Sequence, residues 1–403
     1  MRSRSLRMLA GGGRENGHAD ARACPAFRGR LLADGHTASR RSERRRLQVI
    51  TAPFLALVGC VAPSASAPPG AAEFNDHFVT TNEVVLHEDA DDPIGEIGLL
   101  VEASGGDLVV SDAILPRVRR YGSDGRLLAA FGQHGAGPFE FRTIAGVAED
   151  SEGRLLLVDP RLGRVTRLAG ALEPDTLFTP WPLPRGRVLP MGGRFLAITA
   201  SGERSATITL FTDEWQAVWS IPSPAPAEWW RYPYWHSVGT VRIAATPDVA
   251  AVAFSLLYPI YLYDAEGTLV DSLPAPPTFR TAPVVEAGAF SGPGAARRIR
   301  DWLASFDVIS ELTVLQDTLL VVTHGVLRPG KARPFEEEHR SIDVYHIPSR
   351  SRLAANVALP EGGRVLGGGQ ALYVLVRQPP EQWTIARATF SAPSATDRVT
   401  ARR

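Results

Sequence analysis

The chain has 403 residues, and its hydrophobic fraction of 44% is sufficient for a large core. The formal net charge is zero, but residues 1–60 contain 12 arginines and only 4 acidic residues, so the rest of the chain is acidic. A nucleic-acid backbone is held by clustered Lys and Arg, and the composition therefore excludes nucleic acid as a partner.

The N-terminal part has the features of an export signal. Residues 1–39 have no hydrophobic periodicity, and we expect a disordered extension or a start codon assigned too early. Residues 40–60 place a basic stretch before an apolar run, which is the layout of a secretory signal. Residues 57–60, Leu-Val-Gly-Cys, resemble the bacterial lipobox, which implies a lipidated Cys60. The alternative is a buried segment with an incidental cysteine.

A strand pattern recurs six times after residues 61–77, which are rich in Pro, Ala and Ser near their start and are expected to form a flexible tether. Each copy has a short first strand of small residues, a continuously apolar second strand, and a hairpin of two more strands. Continuous apolar runs are typical of strands covered on both faces. The second strands are expected within residues 105–113, 152–160, 192–200, 247–255, 316–324 and 368–376.

The recurrence predicts an all-β fold, a six-bladed β-propeller with four-stranded antiparallel blades over residues 78–393. The last copy has only three strands, and a spare strand at residues 82–87 precedes the first copy. We expect this strand to pair with residues 382–390 and close the ring, because a propeller protects its sheet edges. An open stack or sandwich is the alternative. Residues 394–403 are expected to be a disordered tail.

The linker after the first copy carries a family resemblance. Residues 131–141 (FGQHGAGPFEF), followed by the strands in 144–159, resemble NHL-type repeats and the bacterial six-bladed propeller lipoproteins. That family's linker reads Gly-x-Gly-Pro-Gly-Glu-Phe, and Phe139 stands where its penultimate Gly is found. The resemblance covers residues 95–178 and implies a propeller and an envelope location, but no reaction.

Several polar residues lie where the predicted strands end. Asp112 and Asp159 end the second strands of the first two blades, and we interpret them as structural, pairing with an arginine of their own blade or capping a turn. His324 ends a strand in the fifth blade and is expected to be a solvated turn residue. The first strands end in candidate metal ligands near the channel, namely Glu102, Glu149 and Asp150.

Because of these three carboxylates, a metal-dependent enzyme is one of the alternatives. Propeller lactonases and amidating lyases resemble this chain in architecture and hold Ca²⁺ or Zn²⁺ with acids, Asn or His that face the channel. A channel metal needs ligands from several blades, and the first strands of blades three to six add only Glu311. We therefore expect no cofactor, with Ca²⁺ or Zn²⁺ reserved for the alternative.

Two inserts interrupt the repeats. Residues 228–236 (EWWRYPYWH) hold five aromatic rings, and rings on a loop suit sugar or peptide binding because they offer a large area at low entropic cost. The alternative is that the segment packs on the propeller. The candidate binding residues are Trp229, Trp230, Tyr232, Tyr234, Trp235 and His236. Residues 294–306 predict an amphipathic helix that packs on the propeller or, alternatively, in a partner groove.

The favoured interpretation is a non-catalytic envelope lipoprotein that presents a propeller to a protein, peptide or glycan partner. The alternative is a metal-dependent hydrolase or lyase with its site at the channel. We expect a monomer that contacts the membrane only through its lipid anchor. Val61 after Cys60 lacks the Asp linked to inner-membrane retention, which favours the outer membrane, on its periplasmic or surface side.

Overall fold

The computed structural model describes residues 72–200, 206–226, 232, 234, 238–286, 288–329, 335–379 and 382–391. The predictions for residues 1–39, for the signal with Cys60, for most of the tether and for the tail at 394–403 lie outside these ranges. None of the helices within them is long and apolar enough to cross a membrane.

Six four-stranded antiparallel sheets make up the described chain, so the predicted six-bladed propeller is confirmed. Blades 1, 2 and 3 contain, in order, β2 (Ile97–Glu102), β3 (Leu108–Asp112), β4 (Val118–Tyr121) and β5 (Leu127–Phe131); β6 (Gly146–Glu149), β7 (Leu155–Asp159), β8 (Arg164–Leu168) and β9 (Pro174–Phe178); and β10 (Pro184–Met191), β11 (Arg194–Ala200), β12 (Ala206–Phe211) and β13 (Ala217–Pro222).

The remaining blades follow the same order. Blades 4, 5 and 6 contain β14 (Val241–Ala245), β15 (Val249–Phe254), β16 (Leu257–Asp264) and β17 (Leu269–Leu273); β18 (Val308–Leu315), β19 (Leu319–Pro329), β20 (Phe335–His346) and β21 (Ser351–Ala358); and β22 (Arg364–Gly367), β23 (Leu372–Arg377), β24 (Thr384–Phe390) and β1 (Phe78–Val85). Two helices complete the fold, α1 (Phe74–His77) and α2 (Ala295–Leu303).

The connections define two ends of the propeller. At the turn face, the first strand of each blade turns into the second and, in blades 1 to 5, the third turns into the fourth. At the linker face, the second strand turns into the third, and linkers carry the chain from one blade to the next. The first strands line the central channel, and the second strands β3 and β7 are buried along their whole length, as their apolar runs predict.

The ring is closed by the two ends of the described chain. β1 pairs with β24 in an antiparallel ladder in which Phe78 faces Phe390 and Val84 faces Ile385. The predicted closure is therefore confirmed, and sixth-blade strands from both ends form one core cluster with blade 1 and a second with blade 5.

The propeller also includes residues that the sequence assigned to the tether. Ala72 forms a parallel bridge with Val357 of β21, and its carbonyl accepts a hydrogen bond of 2.9 Å from Ala358. Phe74 is buried and stacks on Phe78 at 4.7 Å. The bridge at Ala72 thus lies six residues before the expected boundary, and the aromatic contact of Phe74 lies four residues before it.

The residue that ends each of three second strands fastens the incoming linker. Asp112 accepts a hydrogen bond of 2.7 Å from the N–H of Gly95, and Asp159 accepts one of 2.7 Å from Arg142. Ser255 takes the same role in blade 4 by accepting from Thr240. The structural interpretation of the two aspartates is confirmed, since each also caps its own turn.

Blade 5 departs from the repeat on the linker face. β19 continues past His324 to Pro329 and pairs with an equally extended β20. The extension is stabilised by burial, because Val326 and Leu327 are buried and Leu327 joins a cluster with Trp302 and Phe306 of the α2 region. The predicted helix is confirmed and packs on the propeller.

Candidate functional site

The channel is crossed by a charged pair. Arg187 of blade 3 and Glu311 of blade 5 form an ion pair between first strands that are not neighbours in the ring. The Arg187 guanidinium also donates to the carbonyl of Leu312 at 3.3 Å. Burial, together with the nearby charge of Arg242, lowers the pKa of Arg187 to about 10, so it stays cationic at neutral pH.

Two further arginines bind neighbouring blades at the channel. Arg242 of blade 4 pairs with Glu337 on the extended hairpin of blade 5 and donates to the carbonyl of Ile309. Arg364 of blade 6 pairs with Glu96 at 3.4 Å, just before blade 1. These channel cations were missed in the sequence because their partners come from other blades.

The predicted metal ligands each have a local partner. Glu102 accepts a hydrogen bond of 3.1 Å from the N–H of Gln370 in blade 6, and Glu149 accepts one of 2.7 Å from Ser104 in blade 1. Each carboxylate therefore holds its blade to the turn of the preceding one. Asp150 pairs with Arg154 at 2.7 Å. In the part of the chain described by the structure, no three His, Cys, Asp or Glu side chains meet as a metal site requires.

A cavity of about 430 Å³ lies at the turn-face end of the channel. We call it the turn-face cavity; it is lined by Glu149, Asp150, Ser151, Arg154, Pro190, Met191, Gly192, Gly193, Arg194, Phe195, Asp213, Ala245, Thr246, Pro247 and Asp317. Its walls come from the turns of blades 2 to 5, so it exists only in the assembled ring. This volume is within the range of small-ligand sites.

The side chains of the turn-face cavity differ in how they are used. Met191 and Phe195 are buried and supply apolar surface. Glu149 and Asp150 are engaged in the hydrogen bonds given above. The side chains of Arg194, Asp213 and Asp317 are exposed and make no ion pair or hydrogen bond with any described residue. The cavity thus has an apolar wall beside one positively and two negatively charged side chains that have no partner among the described residues.

The aromatic segment is described only in part. Trp229, Trp230, Trp235 and His236 lie outside the described residues. Tyr232 and Tyr234 are half-buried and pack against the cluster that contains Trp302. The ring of Tyr234 meets Phe290 edge to face at 4.4 Å. These two tyrosines therefore pack against the inserts, and binding by the segment, Tyr232 and Tyr234 included, stays a prediction.

His324 is not the solvated turn residue that the sequence suggested. It is 6% exposed, and its Nε2 lies 2.5 Å from Oδ2 of the buried Asp343 and 3.3 Å from the hydroxyl of Tyr258. Asp343 comes from the neighbouring strand β20 of the same blade, and Tyr258 comes from blade 4. His324 lies inside β19, which continues to Pro329, and it packs against Phe279.

Comparisons with known proteins support the fold. No family model and no curated protein matches the chain. A solved structure from Bacteroides vulgatus ATCC 8482, a member of the DUF4221 family, is 8% identical, with a TM-score of 0.56 over 78% of this chain and 98% of that one. A protein of Bacteroides fragilis NCTC 9343, named as exported, is 12% identical, with a TM-score of 0.52 over 79% and 97%. At these identities the likeness shows the propeller fold alone.

Proposed function

We propose that this protein is a non-catalytic binding scaffold of the bacterial envelope, and that the turn-face cavity is where it takes a peptide, protein or glycan ligand. The proposal is supported by one observation above all: the cavity joins an apolar wall to charged side chains that have no partner among the described residues. Groups of this kind orient a ligand and make it specific.

The engaged carboxylates favour binding over a metal-dependent reaction. Glu102 and Glu149 serve as contacts between blades, and Asp150 is held by Arg154, so their oxygens are already used in the fold. The alternative, a metal-dependent hydrolase or lyase, would need several such side chains to converge on one ion, and these three carboxylates serve separate contacts.

The envelope location is part of the same proposal. It rests on the secretory layout of residues 40–60, on the lipobox-like residues before Cys60, and on the bacterial propeller neighbours, one of which is named as exported. Mass spectrometry of the native N-terminus is expected to find an acylated Cys60. An unmodified N-terminus elsewhere in the chain would contradict the lipid anchor.

The binding proposal is tested with glycan and peptide arrays probed by the purified protein. The test variant combines Asp213→Ala with Arg194→Ala, which removes from the cavity one acid and one arginine that have no partner among the described residues and leaves the net charge unchanged. We expect its affinity for the array ligands to fall at least about tenfold. The matched control, Glu266→Ala with Arg126→Ala, removes one exposed acid and one exposed base outside the cavity and is expected to bind normally. Equal binding by both variants would overturn the proposal.

A further inference from the structure

A second, smaller pocket lies on the linker face, between blades 1 and 2. Its volume is about 170 Å³, and we call it the linker-face pocket; it is lined by Asp112, Ala113, Ile114, Leu115, Pro116, Arg142, Thr143, Ile144 and Arg161. Residues 112–116 belong to the turn between β3 and β4. Residues 142–144 precede β6 at the entry of blade 2, and Arg161 belongs to the turn between β7 and β8. It shares no residue with the turn-face cavity.

Two arginines of the pocket are held by one buried carboxylate. Asp159 is fully buried; its Oδ2 accepts from the N–H of Arg142 at 2.7 Å and its Oδ1 from the N–H of Arg161 at 3.0 Å. Both backbone segments are thereby fixed relative to each other. The backbone of both arginines is therefore held in place, which lowers the entropic cost of binding one anionic group with both side chains.

The guanidinium groups themselves remain available. Arg142 and Arg161 are exposed, and neither side chain forms an ion pair or hydrogen bond with a described residue. In blade 1, by contrast, Arg119 pairs with Asp92 and Asp112, at 2.9 Å and 3.3 Å. This pairing compensates the charge of Asp112, so the carboxylate in the pocket wall does not cancel the two unpaired cations.

The rim of the pocket is apolar. Ile114 is 65% exposed and Leu115 is 40% exposed, although both are large aliphatic residues. Their backbone N–H groups donate to Asp112 at 2.9 Å, so the turn is held in the conformation that exposes them. A partner that covers this rim removes apolar area from water while an anionic group reaches the arginines.

We propose that the linker-face pocket docks an acidic side chain, Asp or Glu, of a protein partner, with an apolar neighbour of that residue covering Ile114 and Leu115. The volume is below the range of about 300–1,000 Å³ for sites that enclose a small molecule, and it suits a single side chain. Arginine is also enriched among the residues that dominate protein interfaces. The inference extends the binding role but does not depend on the turn-face cavity.

The test uses fluorescence anisotropy of a labelled peptide of alternating Leu and Glu, with a Leu–Gln peptide of the same length for comparison. We expect the Leu–Glu peptide to bind the wild-type protein and the Leu–Gln peptide to bind at least about tenfold more weakly. The combined Arg142→Gln and Arg161→Gln variant is expected to lose the same factor. Raising the salt concentration is expected to weaken binding, because the contact is between exposed charges.

The control is Arg126→Gln, which removes an exposed arginine of the turn face that forms no ion pair with any described residue. Equal loss in this control would mean that general charge and not the pocket attracts the peptide, and would overturn the inference. Binding of glutarate or inorganic phosphate without binding of the peptide would assign a free anion instead, and binding only to phosphatidylglycerol vesicles would assign a lipid surface. Either result overturns protein docking and leaves the turn-face proposal untouched, because the variants there are different.

Discussion

Phe78 and Phe390 face each other across the ladder that joins the two ends of the described chain, with their ring centroids 5.4 Å apart. Phe78 also stacks on Phe74, so a single aromatic residue connects the entry of the chain, the closing strand and the last strand. The ring is therefore fastened at its seam by side-chain packing as well as by backbone hydrogen bonds.

The closing ladder predicts that substitutions at adjacent residues of β1 differ strongly in how far they lower the free energy of unfolding. Phe78 is 1% exposed and Val79 is 53% exposed, because successive residues of a strand point to opposite sides. Phe78→Ala is expected to lower the free energy of unfolding by about 3–5 kcal/mol, measured by urea denaturation. Val79→Ala on the same strand is the control and is expected to change it by less than about 0.5 kcal/mol. Similar losses in both would show that the closure is not packed as described.

The buried pair of His324 and Asp343 makes a second prediction. Asp343 accepts from His324 at 2.5 Å and from the N–H of Asn356 at 2.8 Å, so Asp343→Ala removes an acceptor from the buried His324 and from the half-buried Asn356. We expect a loss of about 3 kcal/mol in the free energy of unfolding. Asp271→Ala breaks an exposed ion pair with Arg350 and is expected to cost less than about 1 kcal/mol. A loss below that of the control would contradict the role given to Asp343.

Buried tyrosines predict a loss of stability at alkaline pH. Burial raises the pKa values of Tyr121, Tyr345 and Tyr373 to about 12 in the folded protein, against 10 in the unfolded chain. Below pH 10 each tyrosine is neutral in both states, and its contribution to the free energy of unfolding is complete. Between pH 10 and about 12 only the unfolded chain loses the proton, so the free energy of unfolding falls, by at most about 2.7 kcal/mol for each tyrosine. Arg187 acts in the opposite direction, since burial lowers its pKa to about 10, but one arginine does not offset three tyrosines.

The alkaline effect is measured by urea denaturation at several pH values, with phenolate absorbance as a second signal. We expect the free energy of unfolding to fall above pH 10 and the phenolate signal of these tyrosines to rise only near unfolding. Tyr373→Phe removes one ionisable group and is expected to reduce the slope. An unchanged slope in this variant would contradict the assignment.

Phe139 predicts a stabilising substitution. Its φ is 62°, in the left-handed region, which glycine adopts without strain. Phe139→Gly removes a cost of about 1–2 kcal/mol and adds roughly 0.4–1 kcal/mol of chain entropy to the unfolded state. We therefore expect a net gain of up to about 1 kcal/mol in thermal denaturation. Phe139→Ala keeps the Cβ and is expected to give no gain; a gain as large as that of glycine would argue against backbone strain.

The sequence predicted the parts of the fold that recur in it. Second strands such as Leu155–Asp159 are buried on both faces, so they appear as apolar runs, and their number gives the number of blades. The turn-forming role of Asp159 was also predictable, because its hydrogen bonds are local to the blade.

The candidate sites were less predictable because they join residues that are distant in the chain. Asp343 lies 19 residues from His324 and meets it through the pairing of β19 with β20, whereas Tyr258 lies 66 residues away and meets it only through the packing of blade 4 on blade 5. The turn-face cavity and the linker-face pocket likewise arise between blades, and nothing in the residues around Arg142 or Asp213 indicates which other turn faces them.

The most direct test of the binding role is equilibrium dialysis of a ligand selected on the arrays, followed by mass spectrometry of the recovered ligand. The account predicts one ligand molecule bound per chain through the turn-face cavity, lost in the Asp213→Ala and Arg194→Ala variant, and recovered chemically unchanged after prolonged incubation with the protein. Conversion of the ligand to a product that depends on the folded protein, or binding that survives loss of both charges, would contradict it.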